Sequence, residues 1–319
     1  MDRDRACCAP GATPSAEGRA FNHEVAAASV PVQSNLVAIE SGDFLMGTDT
    51  GEGYRADGEG PQRRVILDEF AISAYAVSNS EFDAFVRNTD YVSDAERVGW
   101  SFVFKGSIDG TVLDHVKGIS SEAPWWVAVE SACWRRPEGP ESSVDERGDH
   151  PASHISWYDA NAYCRWSGTR LPTEAEWECA ARGAREGMTY PWGNRLLVDG
   201  RHRCNIWQGS FPDHDDGSDG YLGTAPVGTF EPNDLGIYNA VGNVWEWCED
   251  WFSPNYHRVT RAANPRYVIP SGRKSMRGGS FLCHRSYCNR YRVAARSSNT
   301  PDSTANHCGF RVVGSPPLA

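Results

Sequence analysis

The stretch Gly278–Ser303 reads GGSFLCHRSYCNRYRVAARSSNTPDS and sets two cysteines, Cys283 and Cys288, five positions apart in a cluster of His, Arg, Ser and Tyr. On a strand, side chains at this spacing face opposite sides with Cα atoms about 16 Å apart; on a helix they are offset by about 140° and about 7.5 Å. Neither element brings the sulfurs together, so HRSY must turn if the pair cooperates. A structural zinc site wants four ligands in two pairs, and only His284 is added here. A disulfide is geometrically possible but sits poorly with a reducing compartment. His284 and the arginines at 285, 290 and 292 would favour thiolates wherever their charges approach sulfur, and Arg296 lies close behind them. Two thiolates with no hard oxygen ligand adjacent select a soft ion, Cu(I) above all, while redox dithiols and buried cysteines stay open as readings.

Around this stretch the chain has 319 residues, 40% hydrophobic and 23% charged, enough for a sizeable core. Its net charge of -11 argues against a nucleic-acid partner, which needs a concentrated basic surface. No apolar run approaches the roughly 20 residues of a membrane span, and the start MDRDRACCAPGATPSAEG lacks an apolar signal region. The expectation is a cytoplasmic, monomeric protein without membrane contact, whose ten cysteines serve as core thiols, metal ligands or catalytic groups. Twelve tryptophans beside 31 glycines and 19 prolines predict a loop-rich fold packed around aromatics.

Residues 1–33 are rich in Ala, Pro, Gly and Ser and read as a flexible tail; 34–315 read as one domain with no internal repeat or linker. Leu36, Val37, Ile39, Phe44, Leu45 and Met46 predict short strands around the turn residues Ser41, Gly42 and Asp43. Helices are predicted after Ser78, with Glu81 closing a capping box, after Ser156, ending at Gly168, and after Thr173, with Glu176 at the capping-box position and Gly183 as the stop. Cys164 and Cys179 fall within the last two and read as small buried hydrophobes. Beyond residue 184 the chain reads as loops with aromatic landmarks.

The Gly278–Ser303 stretch, together with RLPTEAEWE, NIWQGSFP, GNVWEW and a closing GFR, resembles the formylglycine-generating enzymes, or sulfatase-modifying factors, from about Leu36 to about Val313. LPTEAEWE and GNVWEW occur across the wider superfamily with this fold, whereas the cysteines of CHRSYC are specific to the enzyme branch. The resemblance implies an α+β fold: a single sulfatase-modifying-factor domain related to the C-type lectin fold, poor in regular secondary structure. It implies that a cysteine in a Cys-x-Pro-x-Arg motif of an unfolded or nascent sulfatase is oxidised to Cα-formylglycine with molecular oxygen and copper(I). Carried over by position, Cys283 and Cys288 hold copper as near-linear thiolates and the substrate thiolate joins them. Ser280 matches the serine beside the oxygen pocket, and Trp245 its aromatic wall; a turn serine and a core tryptophan are the plainer readings of the same residues.

The family also binds structural calcium. By position, one set is Asn205 and Asp219 with the carbonyls of Ile206 and Tyr221, the other Asn239 and Glu246 with the carbonyls of Gly242 and Val244. Hard oxygen ligands suit calcium, although DHDDGSDG is no EF-hand. Trp100, Ser101, Trp125, Trp126, Thr304 and His307 are expected to border the peptide groove, and Trp100 stands where some relatives have an acidic residue. Val312 and Val293 occupy half-cystine positions of secreted relatives, so those bridges cannot form; Cys308 is an extra thiol without an assigned role. CCAPGA at Cys7–Ala12 lacks the arginine that self-modification requires. The rivals are a non-catalytic lectin-like binding module on the same scaffold, against which the cysteine pair counts, and an iron-dependent sulfoxide synthase, whose additional histidine-bearing domain the tail, with His23 alone, does not supply.

Overall fold

In the computed structural model, which describes residues 25–27 and 35–315, four helices open on the same local device. They are α1 (Asn79–Thr89), α2 (Asp94–Val98), α3 (Trp157–Ser167) and α4 (Glu174–Arg182), started by Ser78, Ser93, Ser156 and Thr173. In each, the cap hydroxyl accepts from the backbone N–H three residues on, and the acidic side chain there (Glu81, Glu96, Asp159 or Glu176) accepts from the cap N–H. The α1 box buries Phe82, Phe85 and Val86 on one face, and Gly168 ends α3 with positive φ. The sequence reading missed α2, a helix of 5 residues, too short for an apolar period to show.

The first strands, β1 (Leu36–Ile39) and β2 (Gly42–Met46), follow one another closely yet do not pair. Instead β2 pairs with β3 (Arg63–Leu67), and β1 with β4 (Phe70–Ser73), which also carries the last strand of the chain. Gly42 and Asp43, expected in a turn, open β2. A three-stranded sheet has β7 (Trp126–Glu130) between β5 (Trp100–Phe104) and β6 (Val116–Ile119). One face of it, carrying Val103, Val127 and Val129, packs on Val112; the other carries Phe102, Phe104 and Trp126 into the main core.

Beyond residue 184 the expectation of loops alone is corrected. After the small hairpin β8 (Gly209–Ser210) and β9 (His214–Asp215) comes the central sheet. It runs in the order β12 (Arg296–Asn299), β11 (Lys274–Arg277), β10 (Trp245–Trp251) and β13 (Cys308–Gly309), with the helix α5 (Tyr256–Val259) between β10 and β11 and β14 (Val313–Gly314) closing the chain on β4. Trp245, Glu246, Trp247 and Cys248 are all buried, so β10 shows none of the alternation that marks a half-exposed strand. The whole is one α+β domain with long irregular connections, packed around Trp126, Trp134, Trp177, Trp245 and Trp247, each less than 2% exposed.

The tail reading of 1–33, with Cys7, Cys8 and His23, lies outside the described residues except at 25–27, where Val25 packs against the core. Among the described residues no helix is long and apolar enough to cross a membrane.

Candidate active site

The cysteine loop leaves β11 through Gly278 and Gly279, at φ +95° and +77°. A Cβ on Gly279 would lie 2.8 Å from the carbonyl oxygen of Arg290, so the glycine lets the start of the loop lie against its end. Between them HRSY turns: Cys283 N–H donates to Ser280 O at 2.9 Å, and His284 O accepts from the N–H groups of Tyr287 and Cys288 at 3.0 and 2.9 Å. Both cysteines are buried, and the Ser280 N–H donates to Cys283 Sγ at 3.4 Å.

Cys283, Cys288, Ser280 and Trp245 meet in one cavity of about 10 Å³, room for a single water-sized occupant. Trp125, Trp126 and His307, three of the residues expected at the groove, line it too. The sequence reading did not assign Phe211 and Tyr287, which stack at 4.2 Å and close another side. Phe211 stands far from the loop in sequence, and no local pattern signals that meeting. Of the remaining groove residues, Ser101 is buried and donates to Thr304 Oγ1 at 2.7 Å, while Trp100 is half-buried against Phe102.

Three of the arginines around the pair meet carboxylates. Arg290 forks onto Asp57 at 2.5 and 3.0 Å, Arg292 onto Glu59 at 2.6 and 2.7 Å, and Arg296 onto Glu174 at 2.6 and 2.7 Å. A buried guanidinium needs a carboxylate, and each takes one from elsewhere in the chain. Arg285 is exposed. His284 is held below its ordinary pKa by burial, against the pull of Cys288, and bonds Ser286 at 2.7 Å through Nδ1. With Tyr54 OH donating to Tyr287 O at 3.1 Å, Asp57 and Glu59 make segment 54–59 a strut behind the loop. Burial, reinforced by His154, pushes His307 down to about 3, so the ring is neutral.

The donor set fits a soft cation: two buried cysteine sulfurs line one cavity. No group of three or more His, Cys, Asp or Glu able to hold a metal stands among the described residues. For calcium, Asp219 accepts from the N–H groups of Ile206 and Tyr221 at 2.9 and 3.1 Å, and burial raises its pKa. Asn205 Nδ2 donates to Gly223 O at 2.8 Å. In the second set Asn239 Oδ1 is a buried acceptor without a partner, as a hard-cation ligand would be. Glu246 accepts from Arg311 at 2.6 and 2.7 Å and from Trp177 Nε1 at 2.6 Å, which uses three of its roughly four lone-pair sites. Cys164 and Val312 are both buried, and burial pushes the thiols of Cys164 and Cys179 up to about 12.

A loop-rich α+β domain with two cysteines in one aromatic cavity defines a protein of the sulfatase-modifying type. The chain belongs to the sulfatase-modifying factor enzyme 1-like domain family, whose profile matches residues 22–316. It is 56% identical over 290 residues to the formylglycine-generating enzyme of Thermomonospora curvata, covering 89% of this chain and 95% of that one. It is 51% identical over 278 residues to the formylglycine-generating enzyme of Mus musculus, covering 87% of this chain and 74% of that one. The solved structure of PvdO from Pseudomonas aeruginosa shares the fold, with a TM-score of 0.64 at 23% identity over 87% of this chain and 93% of that one.

Proposed function

We propose that the chain is an oxidase that matures sulfatases, converting the cysteine of a Cys-x-Pro-x-Arg motif in an unfolded or nascent sulfatase to Cα-formylglycine with dioxygen. The observation that carries this is the meeting of Cys283, Cys288, Ser280 and Trp245 in one buried cavity, in a chain whose relatives are named for that product. In balance, the substrate R–CH2–SH, one O2 and two external thiols give R–CHO, hydrogen sulfide, one disulfide and one water. Cys283 and Cys288 would hold Cu(I), which when bound supplies the electron that activates dioxygen and a soft seat for the substrate sulfur.

The chain's own residues do the rest. The turn on His284 O fixes the spacing of the two sulfurs, and the Ser280 N–H favours negative charge on Cys283. The aromatic wall of Trp125, Phe211, Tyr287 and Trp245 excludes bulk water and limits the cavity to one small molecule. Along β7 Trp126, at the cavity, lies four positions before Glu130, which pairs across the strands with Trp100. At about 3.3 Å per residue that is about 13 Å, the reach from cysteine to arginine in an extended Cys-x-Pro-x-Arg peptide. Glu130, which Lys117 holds at 3.1 Å and His115 at 3.7 Å on the exposed surface, would have to exchange those partners to offer the arginine a carboxylate, beside a cation–π seat on the face of Trp100, in place of the acidic residue found in some relatives. Calcium bound at the two oxygen sets would tie the 205–221 and 239–246 loops, and the work would be done in the cytoplasm.

The test is to incubate the purified, copper-loaded chain with a Cys-x-Pro-x-Arg peptide in air and look for the aldehyde by mass spectrometry. No aldehyde under conditions where a relative works would sink the catalytic claim. Cys283→Ala or Cys288→Ala should abolish both turnover and stoichiometric Cu(I) binding; full activity in either removes it as a ligand.

A further inference from the structure

The oxidation proposed above draws two electrons from thiols outside the protein, yet the cavity at Cys283 and Cys288 has room for a single water-sized molecule. Trp125, Trp126 and His307, expected at the peptide groove, line that cavity, so a bound substrate would cover it and shut out any second thiol. The electrons then have to arrive through the protein. Besides sulfur, indole and phenol are the side-chain groups that give up one electron most readily.

Three such rings form a column that ends at the cysteine loop. The stretch Tyr190-Pro191-Trp192-Gly193 turns back on itself, Tyr190 N–H donating to Gly193 O at 2.9 Å and Gly193 N–H to Tyr190 O at 3.1 Å. That turn lays Trp192 on Tyr190, with centroids 5.4 Å apart and planes 10° from parallel. Val293 N–H donates to Thr189 O at 2.9 Å and ties the turn to the segment after Cys288, where Tyr291 lies parallel to Tyr190 at 6.1 Å and 7°. Tyr291 is 3% exposed. A Cβ on Gly279 would sit 3.1 Å from its Cα, and the N–H of Ser280, next in the chain, reaches Cys283 Sγ at 3.4 Å. Burial first, then Tyr190, Cys204, Cys283 and Cys288, hold the Tyr291 phenol above its ordinary pKa, so both sulfurs stand within electrostatic reach of it. At the outer end Trp192 is half-buried, and its Nε1 donates to Arg195 O at 2.8 Å. Among the described residues the other stacked pairs each contain a phenylalanine, whose ring resists oxidation.

We propose that Trp192, Tyr190 and Tyr291 form an electron relay from the surface to the cysteine pair, with a small thiol as the donor at Trp192. Its use rests on the proposed oxidation; the passage of an electron along the column does not. In balance, each of two thiols gives one electron and one proton. The electrons pass from ring to ring to the dioxygen being reduced, the protons end in the water formed, and the two thiols leave as one disulfide. A phenol that gives up an electron releases its proton with it, and both are replaced from outside. Trp192 and Tyr190 act through Tyr291, the ring beside the sulfurs.

The experiment starts with the full chain, metal-free, and azide radicals made by pulse radiolysis, which take an electron from accessible indoles. Absorption should show an indolyl radical turning into a phenoxyl radical at a rate independent of protein concentration, as transfer within one molecule requires. Trp192→Phe and Tyr190→Phe, which keep the stack, should each slow that phase about tenfold or more, since a benzene ring does not carry the electron and a rise of about 1.4 kcal/mol in the barrier suffices. Trp125→Phe should leave it intact. In the Cu(I)-loaded chain the same pulse should end in loss of the cuprous–thiolate absorption, and Tyr291→Phe should slow that loss. At limiting thiol, Tyr190→Phe should lower turnover about tenfold with KM for the peptide unchanged. A phenoxyl phase unaltered in both Trp192→Phe and Tyr190→Phe overturns the proposal, and so does its loss in Trp125→Phe alone, which would put the route at the cavity mouth. If the native chain makes no aldehyde while radical transfer follows the column, the oxidation fails and the relay stands.

Discussion

Glu178→Gln probes the ion cluster that anchors the central sheet to α4. Glu178 is fully buried; Oε1 accepts from Arg182 Nε at 2.9 Å and Nη2 at 2.7 Å and from Gly47 N–H at 2.7 Å, and Oε2 accepts from Arg277. Burial alone would raise its pKa, but Arg182 and then Arg277 outweigh it and hold the carboxyl down at about 2, against 4.5 unperturbed. At about 1.4 kcal/mol per tenfold, that drop is worth about 3 kcal/mol of folding stability. It also agrees with the 3–5 kcal/mol (roughly) lost when one partner of a buried pair is removed. The amide keeps the shape but presents N–H groups to guanidinium donors and leaves Arg277 with Glu174 as its carboxylate and the Val293 carbonyl as its other acceptor. For a domain this large, roughly 2–3 °C per kcal/mol translates into a fall in Tm of about 6–15 °C at pH 7. Because the folded pKa is depressed, the contribution is complete above about 4.5 and drains away as pH falls toward about 2. Denaturant melts of wild type and variant should therefore converge on acidification through that window. A deficit under about 1 kcal/mol at pH 7, or one that does not change with pH, would refute the assignment of this stability to the charge of Glu178.

Asp57→Asn removes the carboxylate that neutralises Arg290 and should cost about 3 kcal/mol. It should also loosen the cysteine loop, raising the rate at which a thiol reagent modifies Cys283 and Cys288 in the metal-free chain; an unchanged rate means that segment 54–59 is no strut. Gly242 has φ +82°, and a Cβ there would sit 2.3 Å from the carbonyl oxygen of Asn205, across both calcium sets. Gly242→Ala should lower Tm and erase the stabilisation that added Ca²⁺ gives chelator-treated wild type; a wild type whose Tm ignores Ca²⁺ removes the calcium reading. Glu130→Gln should raise KM for a Cys-x-Pro-x-Arg peptide up to about fivefold with kcat nearly unchanged, since Glu130 is exposed and an exposed pair is worth at most about 1 kcal/mol. An unaltered KM would take the substrate arginine away from Glu130 and Trp100.

What could be read from the chain was what a few neighbouring residues decide among themselves. Ser78 with Glu81 and Thr173 with Glu176 give away α1 and α4 because a capping box closes within three residues, and the turn between Cys283 and Cys288 follows from the reach of five. The sheet of β10 to β13 was hidden because its strands are brief, distant in sequence and buried without alternation. The carboxylate partners of the arginines were hidden for a related reason. Proximity in sequence shows that Arg290 and Arg292 are near the cysteines but not that Asp57 and Glu59, from the other end of the chain, have already claimed them. Those pairings bear on the chemistry: with Asp57 and Glu59 beside Arg290 and Arg292, a soft cation would bring positive charge of its own to two thiolates. Both thiols must lose their protons as it binds, so uptake of a soft cation at Cys283 and Cys288 has to release protons and weaken in acid. A nucleophilic or redox thiol would instead stay reactive without any metal, which sets the two readings apart by experiment.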